Sequence, residues 1–256
     1  MNITNNELLD IIENKKKIVI FSGAGVSTES SISDYKYGNE FHSKIMNDFY
    51  EPRDILTTSM FQKNKPLFFE YFKYLTENLE NKKPNKSHLF AKYLYDKGKL
   101  SGVITQNIDG LYDNLIPEDK ISYIHGKYNE YICTKCKNKI SLEDTYLSKK
   151  GNRLSNCHDF IVKPNVVLYG DNFSTDSLLK YNKYISESDC IIVMGTELDI
   201  IFHNKNVGNY KNTKILINRN DVAIYKYYNS MYSNFENKYL VDWDLKIITE
   251  LDTLFK

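Results

Sequence analysis

The chain has 256 residues, with 34 Lys and Arg against 33 Asp and Glu, a formal net charge of +1, and 41% apolar residues. That length suits one large core or a core with a smaller insertion, and the balanced charge offers no electrostatic ground for binding nucleic acid or an anionic membrane. The first residues, MNITNNELLDIIENKKK, are polar and broken by acids, and no apolar run approaches the roughly 20 residues of a membrane span, so a soluble protein without a secretory signal is expected. Four cysteines are too few for a disulfide scaffold. Two of them form Cys133-x-x-Cys136, which inside a cell points to metal before disulfide and to a cytoplasmic setting.

In chain order, Lys17 to Phe21 reads as a buried strand that runs into FSGAGVSTESSISDY, residues 21–35. Gly23 and Gly25 let the backbone approach a phosphate, a helix starting after them would aim its free N–H groups at the anion, and Ser27 and Thr28 add hydroxyl donors. Thr28 stands where G-x-G-x-x-G has its third glycine, and no acid closes a second strand about 20 residues later. On the loop alone, a nucleotide site and a plain strand-to-helix turn are equally supported. Helices are expected over Pro66–Leu79 and His88–Lys97, then a short strand at Val103 and Ile104 ending in Thr105, Gln106 and Asn107. The segment Cys133 to Lys163 is polar, holds three of the four cysteines and reads as a small inserted module. A third strand is expected at Val166–Leu168, a helix over Ser177–Ser186, a fourth strand at Cys190–Met194 ending at Gly195, a fifth at Lys214–Ile217 ending in Asn218, and a last helix over Leu245–Phe255. Apolar runs chased by polar or glycine residues are the mark of the carboxyl edge of a parallel sheet, so the fold class is α/β with a ligand crevice along that edge.

The motifs GAGVSTESSISDYK (23–36), PNKSH (84–88), TQNIDGLY (105–112), IHG (124–126), CTKC (133–136), KPNVVLYGD (163–171), MGTEL (194–198) and IN (217–218) stand in an order and spacing that resemble the sirtuins, the NAD-dependent protein deacylases. The resemblance runs from about residue 16 to the C-terminus. It implies a Rossmann-like NAD-binding domain made of residues 1–35, 88–125 and 165–256, and a small domain made of a helical part, 36–87, and a cysteine-containing, zinc-ribbon-like module, 126–164. NAD and an acyl-lysine protein or peptide would meet in the cleft between them. The implied function is lysine deacylation, chiefly deacetylation, with the acyl group passed to ADP-ribose and nicotinamide released. The alternative is an NAD-consuming ADP-ribosyltransferase or NAD hydrolase of the sirtuin-like type.

Carried over motif by motif, the resemblance places Gly23, Ala24, Gly25 and Ser27 at the NAD phosphates and Ile32, Asp34, Tyr35 and Lys36 on the cofactor loop. Gln106, Asn107 and Asp109 fall at the nicotinamide end, Asn107 also in a catalytic role, with Gly195 and Thr196 at the phosphate and ribose side and Asn218 at the adenosine ribose. Val166, Val167, Leu168, Tyr169 and Gly170 would pair with the substrate backbone as an added strand, a mode that holds a peptide without reading much of its sequence. His125 would be the general base. Breaking the nicotinamide bond builds positive charge on the ribose, so the acyl oxygen can trap C1′ if held in line and shielded from water. A base must then take a proton from a ribose hydroxyl, which suits an imidazole with a pKa near 6.5. By itself, one His before a glycine reads more often as structural. His88 opens a helix with an apolar face and reads as structural, and His42 and His203 carry no motif.

This sequence departs from the family pattern in places. The loop that usually reads GIPDFR is SISDYK here, with Ser31 for Gly, Ser33 for Pro, Tyr35 for Phe and Lys36 for Arg, so both turn and stiffness change and a bidentate guanidinium contact is lost. Tyr112 stands for a usual His, Glu197 for Ser and Asp171 for Glu. Phe69 and Phe72 occupy the places of the Tyr and Arg of acid-acyl-preferring sirtuins, which favours an apolar acyl group, although both rings read equally well as core. For zinc the family supplies two C-x-x-C pairs. Cys133 and Cys136 match the first, but Phe160 stands where the partner of Cys157 belongs, and counting back from Pro164 puts Ser155 and His158 at the second pair. Three readings stay open: Cys133, Cys136, Cys157 and His158 bind zinc in a shifted loop, a partial site binds weakly, or the metal is lost. Cys190 lies in an apolar strand and reads as a small core residue.

Overall fold

The computed structural model describes residues 4–32, 52–77, 79–218, 224–225, 232–233 and 237–240. The first helix, α1 (Asn5–Glu13), begins with a capping box in which the Thr4 hydroxyl accepts the Glu7 N–H and the Glu7 carboxylate accepts the Thr4 N–H. It buries Leu8 and Ile12 against the sheet that follows.

That sheet is parallel and six-stranded, in the order β13 (Asn237–Leu240), β10 (Thr213–Asn218), β9 (Cys190–Met194), β1 (Ile18–Ser22), β2 (Leu100–Thr105) and β3 (Ile121–Tyr123). Strands β1, β2 and β9 are buried along their whole length, as strands covered on both faces must be. Alternate residues feed two cores. Ile18 and Ile20 pack with Leu8, Phe90 and Leu94 on one face, whereas Val19 and Phe21 pack with Tyr181, Tyr184 and Val207 on the other. The chain winds outward from β1 in one direction through β2 and β3, and from β9 in the other through β10. The switch point therefore lies between β1 and β9, where an open α/β sheet leaves a crevice beyond its carboxyl ends.

Among the described residues between β1 and β2, the helices are α2 (Pro52–Ile55), α3 (Thr58–Lys63), α4 (Lys65–Thr76) and α5 (Lys86–Asp96). Helix α4 is the one expected over Pro66–Leu79; Asn64 caps it, and its Phe68 and Phe72 rings stack at 5.9 Å and 8°. Asn85 caps α5 and reaches back, its Nδ2 donating to the Val26 carbonyl and the Ser30 hydroxyl, which ties the glycine loop to this helix.

One strand expectation is corrected. Val166–Leu168 does not join the parallel sheet. Instead β8 (Val162–Val166) pairs antiparallel with β4 (Gly126–Cys133), which carries β5 (Lys139–Ser141) on its other edge. The apolar triplet resembled a buried strand by composition, but β8 alternates buried and half-buried residues, the pattern of a sheet covered on one face only. The remaining places in the parallel sheet go to β3 and β13, too short and too mixed to stand out in sequence. A small hairpin, β6 (Thr145–Leu147) with β7 (Arg153–Ser155), completes the cysteine-bearing region, and β11 (Ile224–Tyr225) pairs antiparallel with β12 (Tyr232–Ser233) ahead of β13. After β8 come α6 (Thr175–Glu187), the helix expected over Ser177–Ser186, and α7 (Ile201–Asn209), which follows β9. The expected helix Leu245–Phe255 lies outside the described residues. Among the described residues, no helix is long and apolar enough to cross a membrane.

Candidate functional site at the carboxyl edge of the sheet

The glycine loop leaves β1 as a seven-residue 3-10 helix, Ala24–Ser30. Its glycines answer first to a neighbouring backbone. The Gly23 N–H donates to the Met194 carbonyl at 3.0 Å and the Gly25 N–H to the Gly195 carbonyl at 2.8 Å. A Cβ on Gly25 would lie 2.8 Å from the Gly195 Cα, and one on Gly195 would lie 2.5 Å from the Val26 nitrogen. The two loops of the switch point thus interlock through main chain alone, which no residue with a side chain allows.

Polar groups gather beside this contact. Asn107 Nδ2 donates to the Gly23 carbonyl at 3.1 Å and to Ser27 Oγ at 2.9 Å, and Ser27 Oγ donates to Asp109 Oδ2 at 2.7 Å. Burial raises the Asp109 pKa, opposed by the Leu111 N–H and by Ser27 and Asn107. Thr196 Oγ1 donates to Gln106 Oε1 at 2.7 Å, and Asn218 Nδ2 to the Thr196 carbonyl at 3.2 Å. The edge therefore brings together Gly23, Gly25, Ser27, Gln106, Asn107, Asp109, Gly195, Thr196 and Asn218, with Ala24 between the two glycines. Ile32 donates its N–H to the Ser27 carbonyl at 3.3 Å and packs against the phenylalanine cluster. Asp34, Tyr35 and Lys36 lie outside the described residues, as do Ser33 and His42.

Ser31 ends the 3-10 helix with φ of 57°, the left-handed region where a side chain costs about 1 kcal/mol or more. Ser31→Gly is expected to leave stability unchanged or to raise it by up to about 1 kcal/mol, the relieved strain being partly offset by glycine's unfolded-state entropy. A shift in urea midpoint checks this; a loss above about 1 kcal/mol contradicts it.

His125 follows β3. Its Nδ1 lies 2.9 Å from the Gln106 carbonyl, which can only accept, so Nδ1 carries the proton and Nε2 is the basic nitrogen. Phe173 stacks on the ring at 5.9 Å and 18°, and His203 stands on it at 5.8 Å and 53°. Burial lowers the His125 pKa below its ordinary value, opposed by the Gln106 carbonyl and the charge of Asp199. The ring is neutral at neutral pH, as a base must be. His88 has no such outlook: it is fully buried, and its Nδ1 accepts the Asn85 N–H in a cap. Phe173 and His203 escaped sequence reasoning because neither sits in a motif. The one available signal was a lone histidine closing the apolar run Ile200–Phe202.

The Val167 N–H donates to the His125 carbonyl at 2.9 Å, so the segment 166–170 starts beside His125. Its outer half is fixed to the helical segment: the Tyr169 N–H donates to the Leu56 carbonyl, its carbonyl accepts the Thr58 N–H, and Asp171 takes the Leu168 N–H, the Thr58 hydroxyl and Lys163. Val166 and Leu168 belong to an apolar cluster with Ile108, Phe61, Phe69 and Phe72. Phe69 and Phe72 are buried within it.

At the far end of β4 the Cys133, Cys136 and Cys157 sulfurs and a His158 ring nitrogen all lie within 4.8 Å of one another. His158 Nδ1 is 3.9 Å from Cys133 Sγ and 3.1 Å from Cys157 Sγ, which brackets the roughly 3.6 Å between sulfur and nitrogen on a tetrahedral zinc. The Cys136 backbone N–H and the Ser155 hydroxyl draw Cys133 toward thiolate. Three sulfurs and one imidazole at this spacing fit zinc, so adjacency of Cys157 and His158 is no obstacle to their converging. Ser155, the other candidate for the second pair, is buried 3.6 Å from Cys133 Sγ as a hydroxyl neighbour. Cys190 is buried in β9, its thiol pushed up to about 12 by desolvation.

Comparison with known proteins gives a consistent result. The profile of the Sir2 family matches residues 23–201. An NAD-dependent protein deacetylase of Clostridium acetobutylicum is 34% identical over 223 residues, covering 85% of this chain and 89% of that one. One of Thermotoga maritima is 29% identical, covering 75% and 76%. Among solved structures, Sir2 bound to acetylated peptide superposes with a TM-score of 0.79 at 23% identity over 99% of this chain and 98% of that one, and Sir2 with a p53 peptide and NAD+ with 0.77 at 23% over the same shares.

Proposed function

The chain belongs to the Sir2 family, and from that premise we propose that it is an NAD-dependent protein deacetylase, which takes the acyl group from a lysine side chain and passes it to ADP-ribose with release of nicotinamide. The observation that carries the reading is the orientation of His125, whose Nδ1 is occupied by the Gln106 carbonyl and whose Nε2 is left basic beside the segment that would hold the peptide.

When bound, NAD supplies the ribose carbon that loses nicotinamide and the hydroxyl that must be deprotonated. The glycine loop at the switch point, lined by the hydrogen-bonded Ser27, Asn107 and Asp109, is a polar edge whose chemistry fits a dinucleotide. Gly23, Ala24, Gly25 and Ser27 would hold its phosphates, with Gly195, Thr196 and Asn218 on the ribose side; Ile32 and, outside the described residues, Asp34, Tyr35 and Lys36 are the further cofactor-binding candidates. Gln106, Asn107 and Asp109 orient the nicotinamide end. Asn107 and Asp109 arrive already fixed by Ser27 and the Leu111 N–H, so little reorganisation is needed when the site fills. His125 Nε2 would take the ribose proton, with the Gln106 carbonyl steadying the imidazolium through Nδ1–H. Val166, Val167, Leu168, Tyr169 and Gly170 would line the peptide's edge of the cleft, with the Val167, Leu168 and Tyr169 N–H groups already taken within the chain, and the cluster around Phe69 and Phe72 would exclude water from the acyl group. This division corresponds to a nucleotide-binding domain of residues 1–35, 88–125 and 165–256 and a small domain of 36–87 and 126–164. The convergence of Cys133, Cys136 and Cys157 with His158, a metal-type rather than disulfide arrangement, supports a cytoplasmic location.

The test is a panel of acetyl, longer acyl and succinyl peptides with NAD, reporting peptide product and nicotinamide together. Acetyl or longer apolar acyl turnover is expected to exceed succinyl at least about tenfold, since Phe69 and Phe72 offer no cation to a buried carboxylate. Nicotinamide release with the peptide left acylated would favour the second reading, ADP-ribosyl transfer or NAD hydrolysis. The peptide rim beside His125 favours the first, because free NAD hydrolysis needs no strand for a peptide.

Cys133, Cys136, Cys157 and His158 would hold one structural zinc. About one zinc per chain is expected by elemental analysis, and His158→Ala is expected to weaken retention against a chelator by about tenfold or more. Zinc far below one per chain in the wild type would exclude the four-ligand site.

A further inference from the structure

His203, on α7, is fully buried and touches five rings: Phe21 at 5.2 Å, Phe202 at 5.3 Å, Phe173 at 5.6 Å, and both Tyr181 and His125 at 5.8 Å. Phe173 also stacks on His125, so these rings form one aromatic box with the proposed base as a wall. Neither ring nitrogen of His203 has a hydrogen-bond partner. A phenylalanine or leucine would fill this place without orphaning two polar atoms, each of which carries a desolvation cost. We propose that His203 is a positioning residue for His125, a neutral imidazole whose protonation opens the box and unseats the base, making catalysis acid-sensitive beyond the titration of His125 itself.

The inference rests on the assignment of His125 as base. Among the described residues, no anion acts on His203 to stabilise a cation. The turn after β3 presents His125 and α6 presents Tyr181, while β1 and the 171–174 loop present the phenyl rings of Phe21 and Phe173. Asp199, ahead of α7, acts on His125. Burial, then the charge of His125, pushes His203 down to about 3. The sign follows: a folded pKa below the unfolded 6.5 leaves the closed box fully favoured above pH 6.5 and progressively disfavoured as pH falls toward 3. A proton binds mainly when the box opens, so opening becomes about tenfold easier at pH 5.5 and about 30-fold easier at pH 5 than at pH 8.

Hydrogen exchange of the intact protein at pH 8 and pH 5, corrected for intrinsic rates, tests this together with the acid limb of kcat/KM. Segments 121–127 and 198–209 are expected to lose about 30-fold more protection than β9 in the wild type. In His203→Phe, which keeps a ring without a titrating nitrogen, the excess is expected to fall below about threefold and the acid limb to become shallower. An even loss of protection in the wild type, or a matching excess and acid limb in His203→Phe, overturns the proposal; His203→Leu serves if the phenylalanine variant does not fold. Should the wild type not deacylate, the functional reading fails while the exchange measurement still decides whether His203 gates the box.

Discussion

Replacing His125 with alanine is expected to lower turnover of an acetyl-lysine peptide by about 10²- to 10⁴-fold, the range of a positioned general base, while leaving the fold intact. The ring is half-buried at the cleft, and its one protein hydrogen bond is to a carbonyl, so its loss strands no buried donor. Stability is expected to fall by no more than about 1–2 kcal/mol, chiefly through the lost stack with Phe173. Peptide product and nicotinamide release measured with a denaturation curve on the same protein check both halves. In the wild type, the acid limb of kcat/KM should lie below pH 6.5: the base works unprotonated, and burial moves its pKa down. Full deacylation in the alanine variant, or an acid limb above pH 6.5, would remove His125 from the role.

Gly195→Ala is expected to be the most damaging small change at the nucleotide edge. The new methyl would meet the Val26 nitrogen at 2.5 Å and the Gly25 carbonyl carbon at 2.8 Å, all main chain, so nothing can turn aside. Its φ of +58° adds the left-handed penalty of about 1–2 kcal/mol, and the overpacking about 1–3 kcal/mol more. A total loss of about 2–5 kcal/mol in urea unfolding is therefore expected, with at least about 100-fold weaker NAD binding because the two loops can no longer interlock. Gly98→Ala is the control. It has a similar φ of +68° with nothing within 4 Å of the added carbon, so it should cost only the left-handed term and leave NAD binding unchanged. Equal effects of the two substitutions on NAD binding would show that backbone strain, rather than the contact at the switch point, governs the site.

The legible parts of the sequence were those where one local rule decides. Fully apolar runs such as Ile18–Phe21 and Cys190–Met194 can only be strands covered on both faces, and both are found so. The polar residues closing those runs mark the carboxyl edge because a parallel sheet ends every strand at the same side. Val166–Leu168 misled for the converse reason: three apolar residues are compatible with either kind of sheet, and only its partner, β4, determines which. The cysteine region shows the same limit at a site. Spacing alone left Ser155, Cys157 and His158 as rivals, and the turn at 156–158 settles which side chains converge with Cys133 and Cys136.

By itself, the sequence determined that this is an α/β chain with a glycine loop, a histidine set before a glycine in the IHG motif and a cysteine module, all read from composition and order. Only the tertiary structure decided why Gly25 and Gly195 must be glycines, which nitrogen of His125 is basic, and that His203, 78 positions later in the numbering, shares its box. The physical reason is that the first set depends on covalent neighbours, whereas the second depends on contacts between strands and loops far apart along the chain, which exist only once the sheet has placed β1, β2, β3 and β9 side by side.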